Sequence, residues 1–143
     1  MALLQALIFL IDDDEDDLEM LAPLLESTCI KVRTFNSGEK AVFYMQLLAD
    51  IEGQPSLIIL DYNMPRINGE QLLLLIKNNS NTSHIPVVIY STSMSLVLRK
   101  ALIDLGAYDC LVKPSTYSET VRHAELFKSM ACSFNSSNHL IAK

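Results

Sequence analysis

The fold of this chain is decided by the stretch Ser56-Leu-Ile-Ile-Leu-Asp61-Tyr-Asn63-Met-Pro65. Its apolar run is too short for a helix, contains β-branched residues and does not alternate with polar ones, which predicts a strand buried on both faces. Such strands belong to parallel sheets, and in open parallel sheets ligands bind just beyond the carboxyl ends of the strands, where Asp61 stands. Asp61 is therefore a candidate functional residue, although this stretch alone is equally compatible with an aspartate that only caps a turn.

The composition predicts one compact globular domain. The chain has 143 residues, of which 50% are hydrophobic, so it can bury a sizeable core. Its 11 Lys and Arg against 17 Asp and Glu give a net charge of −6, which argues against nucleic acid or an anionic membrane as a partner. The 3 cysteines have no metal-like spacing and cannot all pair within one chain, so we predict a reducing, cytoplasmic location.

Strand and helix patterns alternate along the chain. Mostly apolar runs at residues 6–11, 57–60, 85–90 and 107–112, and an alternating run at residues 30–35, predict five strands. Helical spacing and capping signals predict five helices, at residues 14–28, 36–50, 70–79, 95–105 and 116–130. This order predicts an α/β three-layer sandwich with a parallel five-stranded sheet. We assign residues 1–132 to the domain and residues 133–143, rich in Ser and Asn, to a flexible tail.

Polar side chains that could bind a ligand or take part in a reaction follow four of these strands. They are Asp12 and Asp13, Asp61, Ser91 or Thr92, and Lys113. The carboxyl ends of parallel strands meet at one edge of a sheet, so we expect these side chains to lie together. Three clustered carboxylates repel one another unless a hard divalent cation neutralises them, and Mg²⁺ takes such oxygen ligands while keeping open positions for a phosphoryl group. Asp61 is best placed to attack phosphorus, with Lys113 and a hydroxyl to stabilise the transferring group.

The motifs that carry these residues resemble the receiver domains of two-component response regulators. They are Leu10-Ile-Asp12-Asp13-Asp14, Leu60-Asp61-Tyr-Asn63-Met64-Pro65 with Asn68-Gly69, Ile89-Tyr-Ser91-Thr92, and Val112-Lys113-Pro114. Each motif alone is weak, but the four in this order and at these spacings are specific, and the resemblance covers nearly the whole chain.

The resemblance implies a role for each matching residue and the strand order 2-1-3-4-5. Asp61 would be the phosphoacceptor, Asp13 a direct Mg²⁺ ligand, and Asp12 a ligand directly or through water. Asn63 would offer its main-chain carbonyl to the metal. The remaining implied roles are a switch hydroxyl at Ser91, a phosphoryl-binding ammonium at Lys113 and a cis peptide bond before Pro114.

The resemblance also implies the function. We expect a phosphoryl group to pass from a histidine kinase or phosphotransfer protein to Asp61, and the signal to continue through altered binding to a downstream protein target or a homodimer. Such a chain is not an enzyme beyond its own phosphorylation and dephosphorylation. The loop at residues 78–84 and the absence of an output domain resemble small stand-alone regulators of the chemotaxis type, some of which work with phytochrome-type kinases.

The chain departs from the family at Cys110, where members usually carry an aromatic ring or histidine that moves inward on phosphorylation. We therefore expect weaker coupling between Asp61 and the output surface. That surface is predicted on the fourth helix, where a helical wheel places Leu96 and Ile103 in solvent beside two positive charges. The same wheel predicts a buried face made of Val97, Leu98, Ala101, Leu102 and Leu105.

Three simpler or rival interpretations remain open. Of the acidic run at residues 12–17, residues 14–17 are typical of a solvated helix start, so only Asp12 and Asp13 are assigned to the site. Cys110 would also suit an interaction module that no longer depends on phosphorylation. A Mg²⁺-dependent phosphatase with an aspartyl-phosphate intermediate is disfavoured, because its signature requires a second aspartate where this chain has Asn63.

Overall fold

The computed structural model describes residues 5–47 and 53–141, with side chains as far as residue 135. Within these ranges the chain forms five strands alternating with five helices. The strands are β1 (Ala6–Ile11), β2 (Ile30–Phe35), β3 (Leu57–Leu60), β4 (Val87–Ser91) and β5 (Asp109–Val112). The helices are α1 (Glu15–Leu25), α2 (Gly38–Gln46), α3 (Gly69–Lys77), α4 (Leu96–Asp104) and α5 (Tyr117–Ile141).

The strands form one parallel sheet in the order β2-β1-β3-β4-β5. Ile11, the last residue of β1, pairs with Phe35 of β2 and with Leu60 of β3. At the other side of the sheet, Ser91 pairs with Val112. The carboxyl ends of β2, β1 and β3 are therefore level, those of β4 and β5 extend slightly further, and the residues that follow all emerge along one edge of the sheet. The predicted fold class and strand order are confirmed.

Side chains alternate between the two faces of the sheet and build two separate cores. On one face, Phe9, Ile58 and Ile89 belong to a cluster that includes buried residues of α2, α3 and α4. On the other face, Ile8 and Tyr90 pack with buried residues of α1 and α5. All four residues of β3 are buried, which explains why its sequence is apolar without alternation.

Helix ends follow the local sequence signals with small differences. Asp14 caps α1 by accepting hydrogen bonds from the main-chain N–H groups of Asp16 and Asp17, and Asn68 forms a capping box at the start of α3. Gly106 ends α4 with a φ of 115°, a conformation that glycine adopts without a steric penalty. The predicted end of α2 near residue 50 lies outside the described residues.

Two predictions about the C-terminal part of the chain are wrong. Helix α5 does not end near residue 130 but continues to Ile141, and the turn that follows residue 130 still packs on the domain. Ala131 is fully buried, and the ring of Phe134 lies edge-on against Tyr108 with centroids 5.0 Å apart. Among the described residues no peptide bond is cis, so Lys113–Pro114 has the trans form, which X–Pro bonds intrinsically prefer by about 0.5–1 kcal/mol. The flexibility of residues 133–143 stays a prediction.

Candidate functional site

Three carboxylates meet at the carboxyl edge of the sheet. Asp12 and Asp13 follow β1, Asp61 follows β3, and one oxygen of each lies within 4.8 Å of the other two. Asp12 and Asp61 are buried, with only 4% and 7% of their surface exposed, whereas Asp13 is exposed. The sheet thus brings together the acids that the sequence assigned to a metal site.

The electrostatics of this cluster favour the addition of positive charge. Burial, reinforced by the charge of Asp12, raises the pKa of Asp61 to about 6. Burial also raises the pKa of Asp12, although a hydrogen bond from Lys113 partly opposes it. A hard divalent cation would relieve this cost and prefers carboxylate oxygens, so the three acids fit such an ion.

Lys113 follows β5 and reaches across the edge of the sheet into the cluster. Its Nζ donates hydrogen bonds to Asp12 Oδ2 at 2.6 Å and to Asp17 Oδ2 at 2.8 Å, and it lies 3.5 Å from Asp61 Oδ1. Burial alone would lower the pKa of this ammonium, but the hydrogen bonds to Asp12 and Asp17 outweigh it and the pKa is raised. Lys113 is therefore a cation held beside Asp61.

The contact with Asp17 corrects the assignment of residues 14–17 to a purely solvated helix start. Asp17 lies in the first turn of α1, and side chains of a helix lean toward its N-terminus, here toward the end of β1. The only sequence signal was its position three residues after the cap Asp14, which is also typical of an ordinary acidic first turn. The partner of Asp17 is separated from it by 96 residues and depends on how α1 packs.

The two hydroxyl candidates occupy different environments. Ser91 is the last residue of β4 and is fully buried, and its Oγ has no hydrogen-bond partner in the part of the chain that the structure describes. Thr92 is exposed. A buried hydroxyl left unpaired costs about 1–3 kcal/mol, so Ser91 is available to donate to a polar group that arrives at this edge.

The loop after β3 is held in place by backbone contacts. The main-chain N–H of Gly69 donates to the carbonyl of Tyr62 at 2.8 Å, and a Cβ at position 69 would lie 2.7 Å from the Asp61 carbonyl oxygen. Only glycine therefore allows α3 to begin this close to Asp61. Asn63 is exposed in the same loop, and the role of its carbonyl as a metal ligand stays a prediction.

Cys110, at the position where family members usually carry an aromatic ring or histidine, is a small buried side chain. Cys110 is only 4% exposed and packs in the core on the α2–α4 face of the sheet. On the opposite face of the sheet, the hydroxyl of Tyr90 is hydrogen-bonded to Nδ1 of His123 on α5, at 2.8 Å. The ring of Tyr90 also lies edge-on to Phe127, with centroids 5.2 Å apart.

The buried face of α4 differs from the helical-wheel prediction. Leu96 is 85% exposed as predicted, but Val97, assigned to the buried face, is 82% exposed, and Ala101 is exposed too. Ile103, predicted in solvent, is partly buried and packs against the core. Apolar residues lie on most sides of this helix, so packing on β5, and not the sequence pattern, decides which of them face inward.

Comparison with known proteins identifies the class to which this fold and site belong. The family model described as the response regulator receiver domain matches residues 8–125. The chain is therefore a member of the response regulator receiver domain family. A two-component response regulator of Oryza sativa subsp. indica, ORR11, is 35% identical over 115 residues, which cover 80% of this chain and 76% of that protein.

Two solved structures show the same fold at lower identity. The phosphorylated cyanobacterial phytochrome response regulator RcpA has a TM-score of 0.80 and 26% identity, covering 90% of this chain and 95% of that one. The Mn²⁺-bound form of response regulator Rcp1 has a TM-score of 0.76 and 26% identity, with coverage of 87% and 92%. In the described part of this chain, no helix has the length and apolar character needed to cross a bilayer.

Proposed function

We propose that this receiver domain accepts a phosphoryl group on Asp61 from a histidine kinase or a phosphotransfer protein. The observation that carries the proposal is the position of Asp61, a buried carboxylate 3.5 Å from the Lys113 ammonium and clustered with Asp12 and Asp13. The Lys113 ammonium can stabilise an incoming phosphoryl group, but its single positive charge does not balance the three carboxylates, so the site also favours a metal cation.

The reaction follows from the groups at the edge of the sheet. One oxygen of ionised Asp61 attacks phosphorus, the bond between phosphorus and the donor's histidine nitrogen breaks, and its electron pair leaves with the imidazole, which takes up a proton. Because the pKa of Asp61 is about 6, the attacking form predominates at neutral pH. Lys113 and Ser91 would donate hydrogen bonds to the phosphoryl oxygens. The chain would thus catalyse only its own phosphorylation and dephosphorylation.

The carboxylates of Asp12, Asp13 and Asp61, with the main-chain carbonyl of Asn63, would hold a divalent cation, which we propose is Mg²⁺. When bound, this ion would supply charge neutralisation for the acids and the transferring group. The structure of Rcp1 with Mn²⁺ supports a divalent metal in a protein that is similar to this chain.

The signal would continue through protein contacts made by α4. Leu96 and Val97 are exposed beside Lys100 and beside Arg99, which forms an ion pair with Asp109, so this end of the helix offers aliphatic surface bordered by basic residues. We propose it as the contact for a downstream target or a second copy of the chain. A cytoplasmic location and a phytochrome-type kinase are part of the same proposal, the latter supported by the similarity to RcpA.

Labelling with acetyl phosphate and Mg²⁺ tests the proposal. The intact mass should increase by one phosphoryl group in the wild type but not in Asp61→Asn. It should also increase in the control Asp16→Asn, which removes the same charge from an exposed position. Omission of Mg²⁺ should abolish the label. Equal labelling of Asp61→Asn would refute the assignment of the phosphoacceptor. A wild type that takes no label and shows no amide shifts with beryllofluoride, which mimics a bound phosphoryl group, would favour the interaction module instead.

A further inference from the structure

Lys113 is shared unequally among three carboxylates. Its Nζ donates to Asp12 at 2.6 Å and to Asp17 at 2.8 Å, whereas Asp61 Oδ1 lies farther away, at 3.5 Å. The side chains of Lys113, Asp12 and Asp61 are mostly buried, at 13%, 5% and 9% exposure, while that of Asp17 is 37% exposed. The ammonium is therefore drawn toward the α1 side of the site, away from the proposed phosphoacceptor.

The contact joins two elements whose backbones are fixed independently. The main-chain N–H of Asp17 donates to the cap Asp14 at 3.3 Å, which anchors it in the first turn of α1. The main-chain N–H of Lys113 donates to the carbonyl of Ser91 at 2.7 Å, which anchors it beside β4. Between them is a cleft lined on its apolar side by Leu21 and Tyr90. Asp17 can therefore hold or release Lys113 by side-chain rotation alone.

A phosphoryl group on Asp61 would compete for the same hydrogen-bond donors. An ammonium has three N–H groups, and two of those on Lys113 are committed to Asp12 and Asp17. We propose that Asp17 is a positioning residue: in the unphosphorylated state it holds the Lys113 ammonium by a hydrogen bond, and so it limits the hydrogen bonding of that ammonium to the phosphoryl group. This inference rests on the proposed function of Asp61.

Asp17→Asn should strengthen the binding of beryllofluoride measured at saturating Mg²⁺. The substitution preserves size but removes the charge that competes for Lys113. A charge-assisted hydrogen bond to a partly exposed carboxylate predicts an affinity about three- to tenfold tighter than that of the wild type. Asp17→Glu restores a carboxylate and should return the affinity toward the wild-type value. Amide chemical shifts of Ser91 during the titration report binding at this edge of the sheet.

Asp16→Asn is the matched control, because it removes the same charge from the same helical turn and Asp16 has no ion pair with Lys113 in the described structure. Its affinity should stay close to that of the wild type. A general effect of charge or helix stability would appear equally in both variants. In a Lys113→Met background, Asp17→Asn should have no further effect, since the competition requires the ammonium.

Equal affinities for Asp17→Asn and Asp16→Asn, or a gain that persists without Lys113, would overturn the inference while leaving the proposed function intact. If the wild type bound no beryllofluoride at all, the proposed function would fail and the role of Asp17 would fail with it. The two failures are therefore distinguishable in one titration series.

Discussion

Replacing Asp61 by asparagine should stabilise the fold at neutral pH when no divalent cation is present. Asp61 is 7% exposed and its pKa is raised from 3.8 to about 6, chiefly by burial. Between these two values the folded state keeps a proton that the unfolded state has lost. The unfolded state is therefore favoured as the pH rises, and the free energy of unfolding falls. Asparagine has the same shape and never ionises, so it avoids this loss.

The size of the effect follows from the two pKa values. At about 1.36 kcal/mol per pKa unit, the interval from 3.8 to about 6 corresponds to about 3 kcal/mol above pH 7, where both states are ionised. At about pH 5 the unfolded state has lost its proton but the folded state has not, and the difference is only about 1.5 kcal/mol. The advantage of Asp61→Asn should therefore roughly double between these two pH values.

Urea unfolding followed by far-UV circular dichroism, with a chelator present, measures this difference directly. Asp16→Asn serves as the control, because it removes one charge from an exposed position and should gain no such stability. Saturating Mg²⁺ should stabilise the wild type more than Asp61→Asn and narrow the gap, since the ion binds the folded carboxylates. An Asp61→Asn variant no more stable than the wild type near pH 7.5, or a gap that does not grow with pH, would refute the argument from burial.

Three further substitutions test other parts of the structure. Gly69→Ala brings a methyl group within 2.7 Å of the Asp61 carbonyl oxygen, so urea unfolding should show a free energy of unfolding about 1–3 kcal/mol lower, and Mg²⁺ titration should show weaker binding. Gly38→Ala, whose nearest contact is 3.1 Å, should lose less stability, and equal losses in the two variants would contradict the argument from steric crowding. In sedimentation velocity with and without beryllofluoride, Cys110→Tyr should enlarge any self-association that beryllofluoride induces, and a smaller change would show that another switch operates. In the same assay Leu96→Glu should abolish the induced self-association, and unchanged assembly in both states would exclude the α4 dimer.

Much of the site could be predicted because it depends on local patterns. An apolar run that ends in an acid marks both a buried strand and its carboxyl end, as at Asp61 and Asp12. The topology of a parallel sheet then places all such ends on one edge. Capping signals are equally local: the hydroxyl of Thr116 accepts a hydrogen bond from the main-chain N–H of Glu119 where α5 begins, as its sequence predicts. The sequence alone therefore determined the fold class, the strand order implied by its family resemblance, and, apart from Asp17, the acids and the lysine that meet at the site.

Tertiary packing decided which side chains touch there and how far they are buried. Asp17 looks like any acid in a first helical turn until α1 packs on the sheet and meets Lys113, 96 residues away. Val97 and Ile103 exchanged their predicted environments, because an aliphatic helix has no single apolar stripe and its orientation depends on what it packs against. The isolation of the Ser91 hydroxyl and the raised pKa of Asp61 have the same origin. Both require a buried environment built by several elements at once, which no local stretch of sequence contains.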